Sequence, residues 1–468
     1  MQYISTRGQA PALNFDEVLL SGLARDGGLY VPETWPQFTA DDIREMRGLP
    51  YDELATKIMY PFVEGSIPKD DFANLVADAY AGFEHDAVLP MKQLDSNSWM
   101  MELFHGPTLA FKDVALQLLG RLFDYVLKKR NERVLIVGAT SGDTGSAAIE
   151  ACRDRDCIDI FILHPHERTS DVQRRQMTTV LSSNVSNIAL RGSFDDCQDI
   201  VKALFNDMNF RDQYNLSAVN SINWARIMAQ IVYYFYAGIL VGAPDRAVTF
   251  SVPTGNFGNI FAAYAAHKMG LPVDQLIVGS NSNDILTRFL QDNDMSMLEV
   301  EPSLSPSMDI QVSSNFERLL FDLLDRDGEK VEEVMNTFRS TGKMPLDTSK
   351  WELATRLFTG HRLSDEETLG AIGAIHQSTG ELVDPHTAVG IIAGWTQRLE
   401  PASPLVCMAT AHPAKFPDAV EQATNIRPPL PSRLADLFER EEKYIVLDNT
   451  VSAIQAEIKK HNRAGTQN

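Results

Sequence analysis

The sequence predicts an α/β protein with largely parallel sheets. From residue 133 onwards, continuous apolar runs of strand length, such as 134–137 and 158–163, alternate with segments of helical pattern. Strands that are apolar on both faces are typical of parallel sheets covered by helices on both sides. Glycine-rich turns follow several of these runs. Because ligands bind beyond the carboxyl ends of strands in such sheets, we expect the functional residues in these turns.

The first 85 residues predict a small N-terminal α+β domain. Residues 15–24 have a helical pattern, residues 26–28 are typical of a turn, and residues 29–32 form a short apolar run. Acidic helical segments follow over residues 40–81. Residues 86–468 are then predicted to form a second, larger domain, in which roughly residues 106–220 make up a smaller lobe.

The second domain continues the alternation of strands and helices. A strand-length run at 187–190 precedes a helical segment at 195–205. The run at 248–252 leads into a further glycine-rich turn and a helix. The runs at 276–279 and 404–408 are also predicted strands, because they are short, apolar and bounded by turn residues.

The composition is that of a globular protein, and it argues against some functions. The chain has 468 residues, of which 44% are hydrophobic, and a formal net charge of −21 from 42 basic and 63 acidic residues. A nucleic-acid-binding protein needs a basic surface that neutralises phosphates, so we expect no nucleic-acid partner. If the substrate is an anion, the site must supply its own positive potential.

The sequence indicates a cytoplasmic protein without a metal site or a membrane span. Four cysteines are scattered along the chain, and no histidine cluster completes a zinc pattern. No signal peptide is expected, because the N-terminal residues lack a basic segment followed by an apolar one. The most apolar stretch, 227–243, contains Gln230 and is shorter than the roughly 20 residues of a membrane span, so it predicts a buried helix.

Two glycine-rich turns could bind anions. Residues 141–145 (Ser-Gly-Asp-Thr-Gly) and 254–259 (Thr-Gly-Asn-Phe-Gly-Asn) each follow a predicted strand and open a helix. Glycine lets the backbone approach a ligand, and the N–H groups of a helix start favour negative charge. Neither turn matches a dinucleotide or P-loop consensus. A structural turn without a ligand remains the alternative for each.

Three further segments carry candidate side chains. In residues 105–113, Lys112 follows an apolar pair, and a lysine in such a place is either a solvated charge or a Schiff-base amine. In residues 220–226, Arg226 is either a surface residue behind a helix cap or part of an oxyanion cradle. Thr410 follows a predicted strand, and its hydroxyl is either in a plain connecting loop or at a ligand ring.

Taken in order, these segments resemble the threonine synthase family. The similarity covers nearly the whole chain, including residues 5–8 and 23–32, which look like that family's N-terminal domain. Residues 305–310 and 384–390 also resemble family segments. The resemblance implies the longer form of the family, with an N-terminal domain of residues 1–85 and a two-lobed fold-type II catalytic domain similar to the tryptophan synthase β subunit.

The resemblance also implies pyridoxal phosphate (PLP) as the cofactor. Lys112 falls at the family's lysine position, where it would carry PLP as a Schiff base and act as a base once the substrate amine displaces it. Thr410 falls where the family places a hydroxyl on the ring nitrogen. The other implied cofactor contacts are Phe111, Gly255, Asn256, Phe257, Gly258 and Asn259.

The substrate implied by the resemblance is O-phospho-L-homoserine, which water converts to L-threonine with loss of phosphate. Many related PLP enzymes have asparagine where this chain has Asp143. The residues that the resemblance places at the substrate are Ser141, Asp143, Thr144, Asn220, Ser221 and Arg226.

Two alternatives remain open at this stage. The chain could be another fold-type II PLP lyase, such as a threonine dehydratase, although that class lacks the N-terminal unit and the 220–226 segment. It could also be a non-catalytic metabolite-binding relative that kept the fold. Lys112 argues against this second alternative, because a binding protein has no need of a Schiff-base lysine.

Overall fold

The computed structural model describes residues 1–140 and 142–461. The chain forms two compact units. The large unit contains residues 1–111 and 221–429, and the small unit contains residues 112–220 and the segment from residue 430 onwards. The sequence predicted a break near residue 220, but not the return of the C-terminal segment to the small unit.

The strands of the described residues, in chain order, are β1 (Tyr3–Ser5), β2 (Tyr30–Pro32), β3 (Met91–Gln93), β4 (Ser98–Glu102), β5 (Val134–Ala139), β6 (Ile158–Pro165), β7 (Val185–Arg191), β8 (Leu216–Ser217), β9 (Val248–Pro253), β10 (Val273–Ser280), β11 (Phe358–Arg362), β12 (Leu405–Ala409) and β13 (Ile445–Asp448).

The α-helices of the described residues are α1 (Phe15–Ser21), α2 (Ala40–Glu45), α3 (Tyr51–Val63), α4 (Lys69–Tyr80), α5 (Lys112–Arg130), α6 (Asp143–Cys152), α7 (Asp171–Thr178), α8 (Phe194–Asn206), α9 (Met208–Tyr214), α10 (Trp224–Leu240), α11 (Gly258–Lys268), α12 (Ile285–Asp292), α13 (Phe316–Leu323), α14 (Gly328–Thr341), α15 (Thr348–Thr355), α16 (Asp365–Thr379), α17 (Pro385–Gln397), α18 (Pro417–Thr424) and α19 (Val451–His461).

The large unit is built on a six-stranded sheet in the order β11-β10-β9-β12-β4-β3. All neighbouring strands in it are parallel except the edge pair β3 and β4. The apolar residues of β12 and α17 share one core cluster. Parallel order brings the carboxyl ends of β9 and β12 to the same edge of the sheet, where residues 254–259 and 410 follow them.

The small unit contains a five-stranded parallel sheet in the order β13-β7-β6-β5-β8. Its core includes apolar residues of β5, β6, β7 and α8, together with Ile454 and Ile458 of α19. The prediction of a parallel-rich α/β fold is therefore confirmed in both units. Strand β13 was not predicted, because an edge strand is only half-buried and carries a weak apolar signal.

The N-terminal segment has the predicted mixture of helix and strand. Strands β1 and β2 form an antiparallel pair, and α1 to α4 supply the helices. Helix α1 ends three residues earlier than the predicted segment 15–24, because Gly22 adopts a left-handed φ of 65° and terminates it. In the part of the chain that the structure describes, no helix combines the length and apolarity of a membrane span, and the apolar stretch from 227 lies in the buried helix α10.

We expect the stability of the small unit to fall in mild acid because of His164, which lies in β6 with 1% of its surface exposed. Burial lowers the pKa of its imidazole from 6.5 to about 4. Between these two pKa values, the unfolded chain therefore binds a proton at His164 and the folded chain does not. Stability is lost as the pH falls from about 6.5 towards 4, by about 3 kcal/mol in all.

Hydrogen exchange of the peptide that contains β6 measures this loss. After correction for the intrinsic pH dependence of exchange, the wild type should lose more protection on acidification than His164→Phe. Equal losses in the two proteins would show that another group controls the acid sensitivity.

Candidate active site

Lys112 is the first residue of α5, and its side chain is almost completely enclosed. Only 9% of the residue is exposed, and the Nζ atom lies 3.6 Å from Oδ2 of Asp143. Nearly every residue of α5 is buried, so the helix fixes the start of the lysine side chain. A lysine amine is costly to bury, and an enclosed lysine near a carboxylate is typical of a reactive amine rather than of a surface charge.

The turn after β5 holds Asp143 in place. Gly142 has a φ of 146°, and a Cβ atom there would lie 2.2 Å from Oε1 of Gln173, so no other residue type fits without a shift. Nε2 of Gln173 donates a hydrogen bond of 2.9 Å to Oδ1 of Asp143. Asp143 and Thr144 begin α6. Ser141 was also predicted as a contact, and it lies outside the described residues.

The loop after β9 supplies a backbone cup. Phe257 has a left-handed φ of 60° and immediately precedes α11, whose first turn is not capped by a described side chain. The uncapped N–H groups of a helix start are suited to an anion. A Cβ atom on Gly255 would lie 2.5 Å from the Ser307 carbonyl oxygen. The glycine therefore lets the loop pack directly on the chain behind it.

A buried histidine supports the segment behind this loop. The Ser307 amide donates to Nε2 of His386 at 3.3 Å, and Nδ1 of His386 lies 2.7 Å from Oδ2 of Asp384. The acceptor role of Nε2 leaves the ring proton on Nδ1, which then donates to Asp384. His386 therefore has a structural role, since both of its ring nitrogens are used in these contacts.

The side-chain amide of Asn259 has a buried N–H donor that no described residue accepts from. Its Oδ1 atom accepts hydrogen bonds from the hydroxyls of Tyr233 and Tyr234. Two hydroxyl donors on one oxygen fix the orientation of the amide. The Nδ2 group is buried and has no hydrogen-bond partner among the described residues. A buried N–H donor without a partner is unfavourable, so it indicates a ligand acceptor at this position.

Thr410 directly follows β12 and is 6% exposed. Its carbonyl oxygen accepts a 2.8 Å hydrogen bond from the Phe111 amide. Ala110 and Ala411 form an isolated β-bridge beside it. The large unit therefore holds Thr410 against the residue that immediately precedes Lys112 in the chain.

Arg226 is buried, and the part of the chain that the structure describes supplies no counter-ion for it. It is 4% exposed, and neither Nε nor Nη1 has a hydrogen-bond partner among residues 1–140 and 142–461. Burial lowers the pKa of its guanidinium to about 10, which leaves it charged at neutral pH. Asn223 caps α10, as the simpler alternative for this segment had it, but the surface position for Arg226 in that alternative is wrong.

Residues 220–222, which precede α10, have hydrogen-bonding groups of their own. The Ser221 carbonyl oxygen accepts a 3.2 Å bond from Nδ2 of Asn315. Asn220 is the last residue of the first segment of the small unit, and its Oδ1 atom is buried with no partner in the described part of the chain. The carbonyl oxygen of Ile222 accepts from Nη2 of the fully buried Arg318 at 2.6 Å.

Sequence reasoning missed the residues that orient the others. Tyr233, Tyr234, Gln173 and Asn315 were not predicted, because each acts through a partner 25 or more positions away. Arg318 lies in α13, whose alternating charged and apolar residues give no sign of a fully buried guanidinium.

The comparisons with known proteins agree over the whole chain. The family models for the threonine synthase N terminus, a pyridoxal-phosphate dependent enzyme, and the threonine synthase C-terminal region match residues 2–80, 88–337 and 387–458. A threonine synthase of Pseudomonas aeruginosa is 59% identical over 466 residues, which are 99% of both chains. This chain belongs to the threonine synthase family.

The solved structures of threonine synthases show the same fold. The PLP-bound threonine synthase of Brucella melitensis matches with a TM-score of 0.98 at 52% identity, over 99% of this chain and 100% of that one. The yeast threonine synthase matches with a TM-score of 0.94 at 41% identity, over 98% of each chain. The fold-type II architecture, the PLP cofactor and the assignment to the lyases of threonine biosynthesis are thereby confirmed.

The residues of this threonine synthase family member fit PLP. The cofactor needs an amine, an anion cup and a partner for its ring. Within the described ranges, the chain offers an enclosed lysine amine, a helix start without a side-chain cap beside a glycine that admits no side chain, and a buried amide donor without a partner. Each of these features is costly in a protein without a ligand.

Substitution of Gly255 by alanine should weaken PLP binding. The added Cβ would meet the Ser307 oxygen at 2.5 Å, so the loop must shift away from its bracing segment. We expect the PLP dissociation constant to rise about tenfold or more, measured from the cofactor absorbance band. Gly370→Ala in α16 is the control, since nothing lies within 4 Å of the added atom. An unchanged affinity in Gly255→Ala would mean that this loop does not bind the cofactor.

Proposed function

We propose that the enzyme converts O-phospho-L-homoserine and water to L-threonine and phosphate. The observation that carries this proposal is Arg226, a buried guanidinium with no counter-ion among the described residues, in addition to the anion cup after β9. PLP has one phosphate and accounts for one anion site. A substrate with its own phosphate accounts for the other.

The cofactor would be held by residues at three places in the chain. Lys112 would bind it covalently, and Thr410 would face its ring nitrogen. When bound, PLP supplies an electron sink for the removal of protons from carbon. A hydroxyl partner leaves the ring nitrogen neutral, which makes this sink milder than an aspartate partner would. The phosphate would bind to the backbone and side chains around α11, with the contacts Gly255, Asn256, Phe257, Gly258 and Asn259, and Phe111 would lie alongside.

Lys112 would then act as the general base. Once the substrate amine has displaced it, its Nζ atom is free to take a proton from the substrate and to return one to Cγ. Asp143, 3.6 Å from Nζ, stabilises the protonated form of the amine between these transfers. Gln173 holds the carboxylate in the orientation that this requires. We therefore assign to Asp143 the orientation of the lysine in addition to a substrate contact.

The phosphate of the substrate would bind to the segment that opens α10. Arg226 supplies a positive charge that burial keeps away from the carboxylates of the protein surface. Bidentate guanidinium–phosphate bonds are among the stronger protein hydrogen bonds. Ser221 and Asn220 lie on the preceding residues. The small unit would add contacts from Ser141, Asp143 and Thr144 to the rest of the substrate.

A product assay separates this proposal from its alternatives. With PLP added, the protein should release phosphate from O-phospho-L-homoserine and form threonine. A threonine dehydratase would instead release ammonia from threonine. A binding protein without activity would do neither. Four free cysteines support a reducing compartment, and we place the enzyme in the cytoplasm.

Replacement of Lys112 by alanine should abolish both colour and turnover. Without the amine, borohydride cannot fix the cofactor on the chain, and no base remains for the proton transfers. We expect turnover to fall by about 10³-fold or more. Lys202→Ala is a suitable control, because that lysine is exposed and pairs only with Asp199 among the described residues. Full turnover in Lys112→Ala would exclude the assigned role.

Replacement of Arg226 by methionine should raise stability and KM together. The side chains have similar reach, but methionine does not bury an unpaired charge, so the ligand-free protein should melt at a higher temperature. The loss of a charge-assisted contact should raise the KM for O-phospho-L-homoserine by about 10²-fold. PLP affinity should stay near the wild-type value.

Three measurements on Arg226→Met distinguish the roles of the arginine. Arg211→Met is the control, because Arg211 pairs on the surface with its neighbour Asp212. A lower melting temperature would mean that Arg226 is structural. A loss of PLP would assign Arg226 to the phosphate of the cofactor instead.

A further inference from the structure

The large unit contains a cavity that none of the residues assigned above accounts for. Its volume is about 400 Å³, within the roughly 300–1,000 Å³ of small-molecule sites. Most of its lining is apolar, and four methionines (Met295, Met297, Met335 and Met344) contribute to it. Methionine side chains are flexible and polarisable, so they adapt to apolar ligands of varied shape.

The charges at this cavity favour an anion. Glu317 and Arg339 are the charged residues of the lining. Glu317 is already neutralised, because Arg7 pairs with it at 3.1 Å and the Thr6 hydroxyl donates to it at 2.6 Å. Arg339 is exposed on α14, and its guanidinium forms no ion pair or hydrogen bond with any residue in 1–140 or 142–461. The cavity therefore combines apolar walls with one uncompensated positive charge.

One wall of the cavity is the segment that braces the loop after β9. Ser313 lines the cavity, and its hydroxyl donates a 2.8 Å hydrogen bond to the Gly255 carbonyl oxygen. Phe316 also lines it, and its ring packs on the ring of Phe257 with 5.4 Å between centroids. A ligand that moves either side chain therefore acts directly on the two residues that shape the anion cup.

We propose that this cavity is a regulatory site for a small carboxylate with an apolar tail. The tail lies among the four methionines and Phe338, and the carboxylate binds Arg339. Occupancy changes the position of Ser313 and Phe316, and through them the affinity of the loop after β9 for the phosphate of PLP. The site is separate from the residues assigned to Lys112 chemistry, so the inference does not depend on the identity of the substrate.

Calorimetric titration of the PLP-loaded enzyme with hexanoate tests the site. Hexanoate should bind saturably, and hexan-1-ol, which has the same tail without the charge, should bind about tenfold more weakly. Arg339→Gln should weaken hexanoate by about tenfold and leave hexan-1-ol unchanged. Lys330→Gln on the same helix is the matched control, because Lys330 is exposed, pairs with Asp327 and does not line the cavity.

Two further measurements test the position and the coupling. Met297→Trp should fill the cavity and abolish binding of both probes, while the enzyme retains its PLP. Saturating hexanoate should shift the dissociation constant of PLP for the wild type, and this shift should shrink in Ser313→Ala.

Three results would overturn the proposal. The first is the absence of saturable hexanoate binding. The second is equal binding to the wild type, Arg339→Gln and Met297→Trp, which would assign the probe to the PLP and substrate residues. The third is binding without any change in PLP affinity, since this would leave a cavity with no regulatory effect.

Discussion

Arg226 is buried with two of its guanidinium nitrogens unpaired in the described structure, and its pKa falls only to about 10. An enclosed charge without a partner costs several kcal/mol unless a ligand compensates it. The chain has a net charge of −21, and surface arginines such as Arg44 and Arg211 pair with carboxylates. Burial keeps the guanidinium away from those carboxylates. The proposed binding of a phosphorylated substrate by this acidic protein depends on that exclusion.

In the anion cup after β9, neutral N–H groups rather than a charge are kept without a partner among the described residues. Tyr233 and Tyr234 both donate to Oδ1 of Asn259, while no residue in 1–140 or 142–461 accepts from its Nδ2 group or caps α11 with a side chain. Each of these features would be a defect in a protein that binds no ligand. They occur together on adjoining elements of one unit. The site is therefore built by leaving donors unpaired while fixing everything that orients them.

The sequence was sufficient to predict most strands and the glycine-rich turns. It was not sufficient to predict the hydrogen bonds that orient the side chains of the candidate site. Continuous apolar runs predicted β5, β6, β9, β10 and β12, because buried parallel strands carry that pattern. The edge strand β13 has no such apolar run, and nothing in the sequence indicates that the C-terminal segment belongs to the small unit. The sequence of residues 220–226 was compatible with Arg226 as a surface residue or as part of an oxyanion cradle. The choice depends on burial, which is set by the tertiary structure. The hydrogen bonds of Asn259 and Asp143 come from 25 to 30 positions away, and no local signal marks them.

Helix α10 links the two proposed anion sites physically. It carries Arg226 in its first turn and Tyr233 and Tyr234 further on, and it is buried along most of its length. Residues seven positions apart lie on the same side of a helix and are separated by about 10 Å along its axis. A buried helix does not bend readily, because it is packed on all sides. The distance between the guanidinium and the tyrosines that orient Asn259 is therefore set by one rigid element. Under the proposed function, selection for a substrate with its own phosphate would follow from the helix rather than from the loops at its start.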